Sequence, residues 1–254
     1  MVLRDAATKE RLLGPFGTIF IINLEHRKDR RVQMNAELAK IEEAVDGNQI
    51  RLFKAFSFEE KGNFPSIGAR GCFHSHLEVL RTAKAEGLDR VTIFEDDLEF
   101  MSEVSARLKE VSAALRERPC SIFYGGVDLD AHNVEALELA SQDGAKGSTL
   151  KIVQPSTPVM TAHFVTFNDS AVNLIIPYLE TMLRRAPGHP SGGPMHVDGA
   201  YSWFRKEHPE LTTLAAAPKL AKQRSSRSDI APLRWFDRYP VVKNFVELAR
   251  SLKQ

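Results

Sequence analysis

Glu95, Asp96 and Asp97 follow directly on the apolar run Val91-Thr92-Ile93-Phe94, so three carboxylates stand where a buried strand ends. Ligands of open parallel sheets collect beyond the carboxyl ends of the strands, and acids clustered there need a cation or a catalytic task to tolerate one another. An extended backbone would send Glu95 and Asp97 to one side and Asp96 to the other, leaving one side able to hold a divalent ion. Hard carboxylate oxygens suit Mg2+ or Mn2+, ions that bridge phosphate oxygens and neutralise charge on a leaving diphosphate. The plainer alternative is an acidic cap on the next helix.

Three further constellations have chemical potential. His26-Arg27-Lys28-Asp29-Arg30-Arg31 stands between a strand and its helix, where guanidinium groups and helical N–H donors can converge on phosphate; a solvated charge run is the competing reading. Asn23, with an amide donor and an acceptor, suits reading a base or fixing that loop. In Gly68-Ala69-Arg70-Gly71-Cys72-Phe73-His74-Ser75-His76 the glycines permit close approach, Ser75 can cap or donate near a helix start, and His76 can meet a ligand or hold a loop. The histidines lack the spacing of a zinc hydrolase. His196-Val197-Asp198-Gly199, after a Pro/Gly loop at 187–194, offers a carboxylate able to act as a base on a sugar hydroxyl, or simply to cap a helix.

The elements that must position these groups alternate strand and helix. Thr18 to Leu24 is continuous enough for a strand covered on both faces. Asp29 can cap the next helix, whose stripe of Met34, Leu38, Ile41 and Val45 runs to Gly47. A short strand over 50–56, a glycine turn at 68–71 and a helix bearing Leu77, Leu80 and Ala83 and ending near Gly87 lead to the acidic strand. Ser102 is placed to cap a helix carrying Val104, Leu108, Val111 and Leu115, followed by a strand from Ser121 to Tyr124. Beyond it, strands are expected at 149–153 and 162–167, a helix over Asp169–Arg184 kinked at Pro177, and a short helix after His196.

Composition bounds the function. The 254 residues are 43% hydrophobic, enough for a substantial core, and 34 Lys plus Arg balance 33 Asp plus Glu, which gives no support for a general nucleic-acid binder. Between Lys219 and Arg238, six basic residues face two acids, a bias suited to an anionic ligand or an anionic membrane surface. Cys72 and Cys120 are too few for a disulfide scaffold and lack the spacing of a metal knuckle, which fits a reducing cytoplasm. With no apolar run of spanning length, membrane contact is expected to be peripheral, on the cytoplasmic face.

In order along the chain, the runs Phe20 to Arg31, Gly71 to Leu77 and Ile93 to Phe100 resemble glycosyltransferase family 25, the lipopolysaccharide-type and collagen-type glycosyltransferases. Val197-Asp198, and Gln223 followed by Ser228-Asp229-Ile230, are similar to the family's later pattern, whereas Thr161-Ala162-His163-Phe164 stands where members often have Thr-His-Ala-Tyr. The resemblance implies a GT-A-like α/β fold with a central mixed sheet in one domain, with a donor-nucleotide half near 18–130, a less regular acceptor-side half near 131–230 and a carboxyl-terminal segment over 231–254. It implies inverting transfer of galactose or glucose from a UDP-sugar to a saccharide, such as a lipid-linked lipopolysaccharide oligosaccharide. Donor-site roles then fall to Asn23, Arg27, Arg30, Ser75, His76, Glu95, Asp96 and Gln223. Mn2+ or Mg2+ falls mainly to Asp97, assisted by Glu95 or Asp96, and the base to Asp198, with Asp128 and Asp130 as rivals. A sugar nucleotidyltransferase and a non-catalytic sugar- or nucleotide-binding module are the alternative functions.

Overall fold

The computed structural model of the protein describes residues 12–127 and 149–224. Its centre is a seven-stranded mixed sheet built from β1 (Thr18–Asn23), β2 (Ile50–Lys54), β3 (Arg90–Glu95), β5 (Ile122–Tyr124), β6 (Leu150–Ile152), β7 (Phe164–Asn168) and β8 (Thr213–Ala216). The spatial order is β2-β1-β3-β7-β5-β8-β6. β1, β2 and β3 are mutually parallel neighbours, while β7 runs antiparallel between β3 and β5. Strands from before and after the undescribed stretch 128–148 are therefore woven into one sheet.

Period-two alternation explains the two core layers. Phe20 and Ile22 of β1 and Ile93 of β3 face one layer with Phe73, Leu77 and Leu80 of α2 (Ile67–Ala85), Ile175 and Leu179 of α4 (Asp169–Arg184), and Phe204 of α5 (Val197–Glu207). Ile19, Ile21 and Phe94 face the other, with Met34 and Leu38 of α1 (Lys28–Ala39) and Leu108, Val111 and Leu115 of α3 (Val104–Glu117). A second sheet of two short strands, β4 (Leu98–Phe100) and β9 (Ala221–Gln223), projects just past the acidic motif. Glu37 of α1 ties it down by accepting from Phe100 N at 2.9 Å and from an Arg224 guanidinium nitrogen at 3.2 Å.

Several local expectations are corrected. Asp29 does not cap α1: it lies within the first turn, where it accepts two hydrogen bonds from Arg27. The helix ends at Ala39, well before Gly47, although Met34, Leu38 and Ile41 are buried as the stripe requires. Gly68 and Gly71 are not a turn but part of α2, capped by Ser66, whose oxygen accepts from Ala69 N at 3.0 Å. Ser102 is not the cap of α3; that position belongs to Glu103, in a left-handed conformation with no side-chain cap bond. Asn168 caps α4, and Pro177 is accommodated inside it.

Candidate active site

The carboxyl ends of β1, β2, β3 and β5 and the first residue of β7 meet at one edge of the sheet. There the Glu95 backbone N–H donates to the His163 carbonyl. An open cleft lies at this edge, lined by Leu24, Arg27, Arg30, the segment 55–57, the first turns of α2, and Glu95, Asp96 and Asp97. Such an edge is where open α/β sheets bind their ligands.

The acidic triplet does not divide as an extended strand would. β3 stops at Glu95, and Asp96-Asp97 turn into β4. Both aspartates consequently reach the same guanidinium nitrogen of Arg30, at 2.8 Å from Asp96 and 3.3 Å from Asp97. Asn23 donates to the second oxygen of Asp96 at 2.6 Å, and its own oxygen accepts from Arg31 at 2.5 Å. The amide is thus used in positioning the acid rather than displayed to a base. Gln223, from β9, donates to Asp97 Oδ2 at 3.0 Å, while the Arg224 N–H donates to the Asp97 carbonyl at 2.7 Å. The other carboxylate oxygen of Asp97, Oδ1, is buried and has no hydrogen-bond partner. Burial, reinforced by the neighbouring charge of Glu95, pushes the Asp97 carboxyl up to about 6 despite Gln223 and Arg30. Burial also raises Asp96 against the pull of Arg30 and Asn23. A buried carboxylate with an orphaned oxygen, flanked by two half-buried acids, fits a divalent cation held by Asp97.

Glu95 turns toward α2. Its Oε1 lies 3.3 Å from His76 Nε2 and 3.8 Å from Cys72 Sγ. Burial alone would raise the Glu95 carboxyl, but His76, with His163 and Cys72, outweighs it and the net shift is downward. His76 is fully buried, with Nδ1 2.9 Å from the Tyr201 hydroxyl of α5. Ser75, also fully buried, does not cap: its hydroxyl donates to the Gly71 carbonyl at 2.7 Å and accepts from Phe56 N at 2.8 Å, fixing the cleft wall. Gly71 is required beside it, since a Cβ would stand 2.6 Å from the Phe56 carbonyl oxygen.

Asp198, in the first turn of α5, comes to the same edge. Burial raises its carboxyl, the Gly199 N–H that donates to it at 2.7 Å opposes this, and the charge of Glu95 adds to the rise. The structure therefore gathers Asn23, Arg30, Ser75, His76, Glu95, Asp96, Asp97, Asp198 and Gln223 at one edge, with Arg27 on the cleft wall. Arg30 faces the acids, so its chief visible task is to compensate them. Asp128, Asp130 and the Ser228-Asp229-Ile230 run lie outside the described residues. Cys72, Phe56 and His163 are neighbours that sequence reasoning left without a role, and Tyr201, an aromatic able in sequence terms to stack on a sugar ring, is instead buried against His76. The helical spacing of Cys72 and His76 was a usable signal; the approach of Tyr201 and Phe56, from elsewhere in the chain, had none.

The basic stretch is partly spent internally. Lys222 pairs with Glu99 at 3.6 Å and Arg224 with Glu37 at 3.2 Å, while residues 225–238 lie outside the described residues. Among the described residues no helix is long and apolar enough to cross a membrane.

Residues 16–125 match the model of glycosyltransferase family 25, described as LPS biosynthesis protein. Inactive glycosyltransferase 25 family member 3 of Homo sapiens is 35% identical over 142 residues, covering 48% of this chain and 24% of that protein. Procollagen galactosyltransferase 2 of Mus musculus is 32% identical over 112 residues, covering 38% of this chain and 18% of that protein. The chain thus spans about a quarter or less of the length of these relatives. A crystal structure of UDP-glucose pyrophosphorylase complexed with UDP-glucose aligns with a TM-score of 0.43 at 11% identity, covering 93% of this chain and 82% of that one.

Proposed function

We propose that this chain, whose residues 16–125 match the model of glycosyltransferase family 25, transfers a hexose, galactose or glucose, from a UDP-sugar to a saccharide acceptor with inversion at the anomeric carbon. The observation that carries the reading is the buried, unpartnered Oδ1 of Asp97, a residue that lines one cleft with Arg27, Glu95 and Asp96. Asp97 is the residue to hold Mn2+ or Mg2+, with Glu95 or Asp96 assisting; the ion supplies charge neutralisation for the leaving UDP diphosphate.

The remaining tasks belong to side chains. Arg27 lines the cleft and is oriented by two hydrogen bonds to Asp29, which suits a guanidinium that meets phosphate. Arg30, Asn23 and Gln223 hold the acids in place. Phe56, 42% exposed on the cleft wall, offers an aromatic face to the nucleoside, and the Ser75 hydroxyl fixes its backbone. Asp198 accepts the acceptor hydroxyl's proton as that oxygen attacks; burial raises its carboxyl above the ordinary value, which strengthens it as a base. A lipid-linked oligosaccharide is the acceptor class we favour, reached from the cytoplasmic membrane face through the basic residues after Lys219.

A second reading, a nucleotide-sugar binder without turnover, is favoured by one fact: a 35% identical relative is named inactive. One experiment separates them. UDP-galactose and UDP-glucose are incubated with oligosaccharide acceptors, with and without Mn2+, and product and anomer are determined. Transfer with inverted configuration supports the proposal; UDP-sugar binding with no product on any acceptor supports the second reading. Formation of UDP-sugar from UTP and a sugar phosphate would instead establish a nucleotidyltransferase.

A further inference from the structure

Cys72, His76 and Glu95 form a second cluster with ligand chemistry, distinct in character from the hard oxygens of Asp97. Cys72 and His76 are four residues apart on α2 and so project from one face of the helix toward the end of β3. Their ligand atoms and a Glu95 oxygen all lie within 4.8 Å of one another. The individual separations are 3.3 Å from His76 Nε2 to Glu95 Oε1 and 3.8 Å from Cys72 Sγ to the same oxygen. Tetrahedral zinc with ordinary Zn–N, Zn–O and Zn–S bond lengths would place these pairs roughly 3.3 and 3.6 Å apart. Two edges of the tetrahedron, the ones meeting at Glu95 Oε1, are thus already formed to within a few tenths of an ångström.

His76 adds an independent observation. It is fully buried, and its Nε2 makes no hydrogen bond although it lies 3.3 Å from the Glu95 carboxylate. Its other nitrogen, 2.9 Å from the Tyr201 hydroxyl, has the outer partner that commonly fixes a metal-bound imidazole. Cys72 is partly exposed and lines the cleft, so an ion has a route of entry and a fourth coordination position toward solvent. We propose that Cys72, His76 and Glu95 bind a borderline-soft divalent ion of the zinc class, beside the hard-ion position at Asp97 and sharing Glu95 with it. Binding replaces the thiol proton by the metal: a sulfur–metal bond forms, the S–H bond breaks, and the proton leaves to solvent. Because Glu95 belongs to both sites, occupation of the thiolate site withdraws it from the donor-site ion, making the soft metal an inhibitor of any Mn2+-dependent turnover.

The test uses the protein alone, without nucleotide or acceptor, so that its failure is separate from failure of the transferase reading. Co2+ serves as the spectroscopic stand-in for zinc. Titration should produce a thiolate-to-cobalt charge-transfer band saturating at one equivalent, removed by Zn2+ and unaffected by Mg2+. Cys72→Ser should abolish the band while Cys120→Ser, at the only other cysteine, retains it. In the unmodified protein Zn2+ should also protect Cys72 from alkylation, read by peptide mass spectrometry, which settles the matter should Cys72→Ser not fold. No charge-transfer band at saturating Co2+, an undiminished band in folded Cys72→Ser, or alkylation of Cys72 at the same rate with and without Zn2+ would overturn the proposal.

Discussion

Arg30 and Arg205 are both buried, at 4% and 1% exposure, yet they are held by opposite means. Arg30 sits between two carboxylates, Asp96 and Asp97, at the donor side of the cleft. Arg205, on α5, instead donates to the backbone carbonyls of Thr157, at 2.6 Å, and Gln154, at 3.4 Å, and lies over the Tyr124 ring. The first arrangement is electrostatic: charge balances charge, and a bound cation can take over part of the compensation. The second is architectural, pinning the irregular segment 154–157 to α5 and β5. Charge chemistry therefore concentrates on the family-like side of the cleft, and scaffolding on the other.

The largest effect should come from Arg30→Ala. It leaves the partly buried Asp96 and Asp97 without their cation, at a cost of about 3–5 kcal/mol in urea unfolding at neutral pH. Saturating Mn2+ should recover part of that loss. Unfolding unchanged by the substitution would remove the electrostatic side of the comparison. Asp198→Asn should lower the single-turnover rate roughly 10²- to 10⁴-fold with donor affinity unaltered. A parallel loss of UDP-sugar affinity would move Asp198 from the acceptor to the donor side.

Arg205→Met sharpens the contrast. Leaving carbonyls unpaired should cost about 1–3 kcal/mol, with no recovery by Mn2+ and no dependence on acid pH. Recovery by the ion would show that the two regions are not separate.

The smallest effect concerns pH. Asp97 binds its proton more tightly folded, at about 6, than unfolded, near 3.8. Between those values the native state holds more protons, so stability of the metal-free protein should fall as pH rises through this window, by at most about 3 kcal/mol. Asp97→Asn should flatten that slope in thermal melts; an identical slope would mean that another group titrates there.

The donor side was legible because strand and motif coincide there. Buried runs such as Thr18 to Asn23 and Arg90 to Glu95 have no competing reading, and the acids mark their end. The acceptor side was less legible for physical reasons. β8, whose core is Leu214-Ala215-Ala216, is too short and too alanine-rich to signal a strand, yet it lies inside the sheet between β5 and β6. β4 and β9 exist only by pairing with each other, a long-range event that no local pattern encodes. The division of the triplet failed because it assumed an extended backbone, whereas the turn at Asp96-Asp97 brings both onto Arg30. Caps at Asp29 and Ser102 failed because side-chain chemistry alone does not locate a helix end.

The central claim is that Asp97 holds the ion through which the cleft binds a nucleotide diphosphate. Calorimetric titration of UDP into wild-type protein and into folded Asp97→Asn, each with and without Mn2+, tests it most directly. Mn2+ should tighten UDP binding at least about tenfold in the wild type, a difference near 1.4 kcal/mol, and not in the variant. Equal tightening by Mn2+ in both proteins would contradict the account.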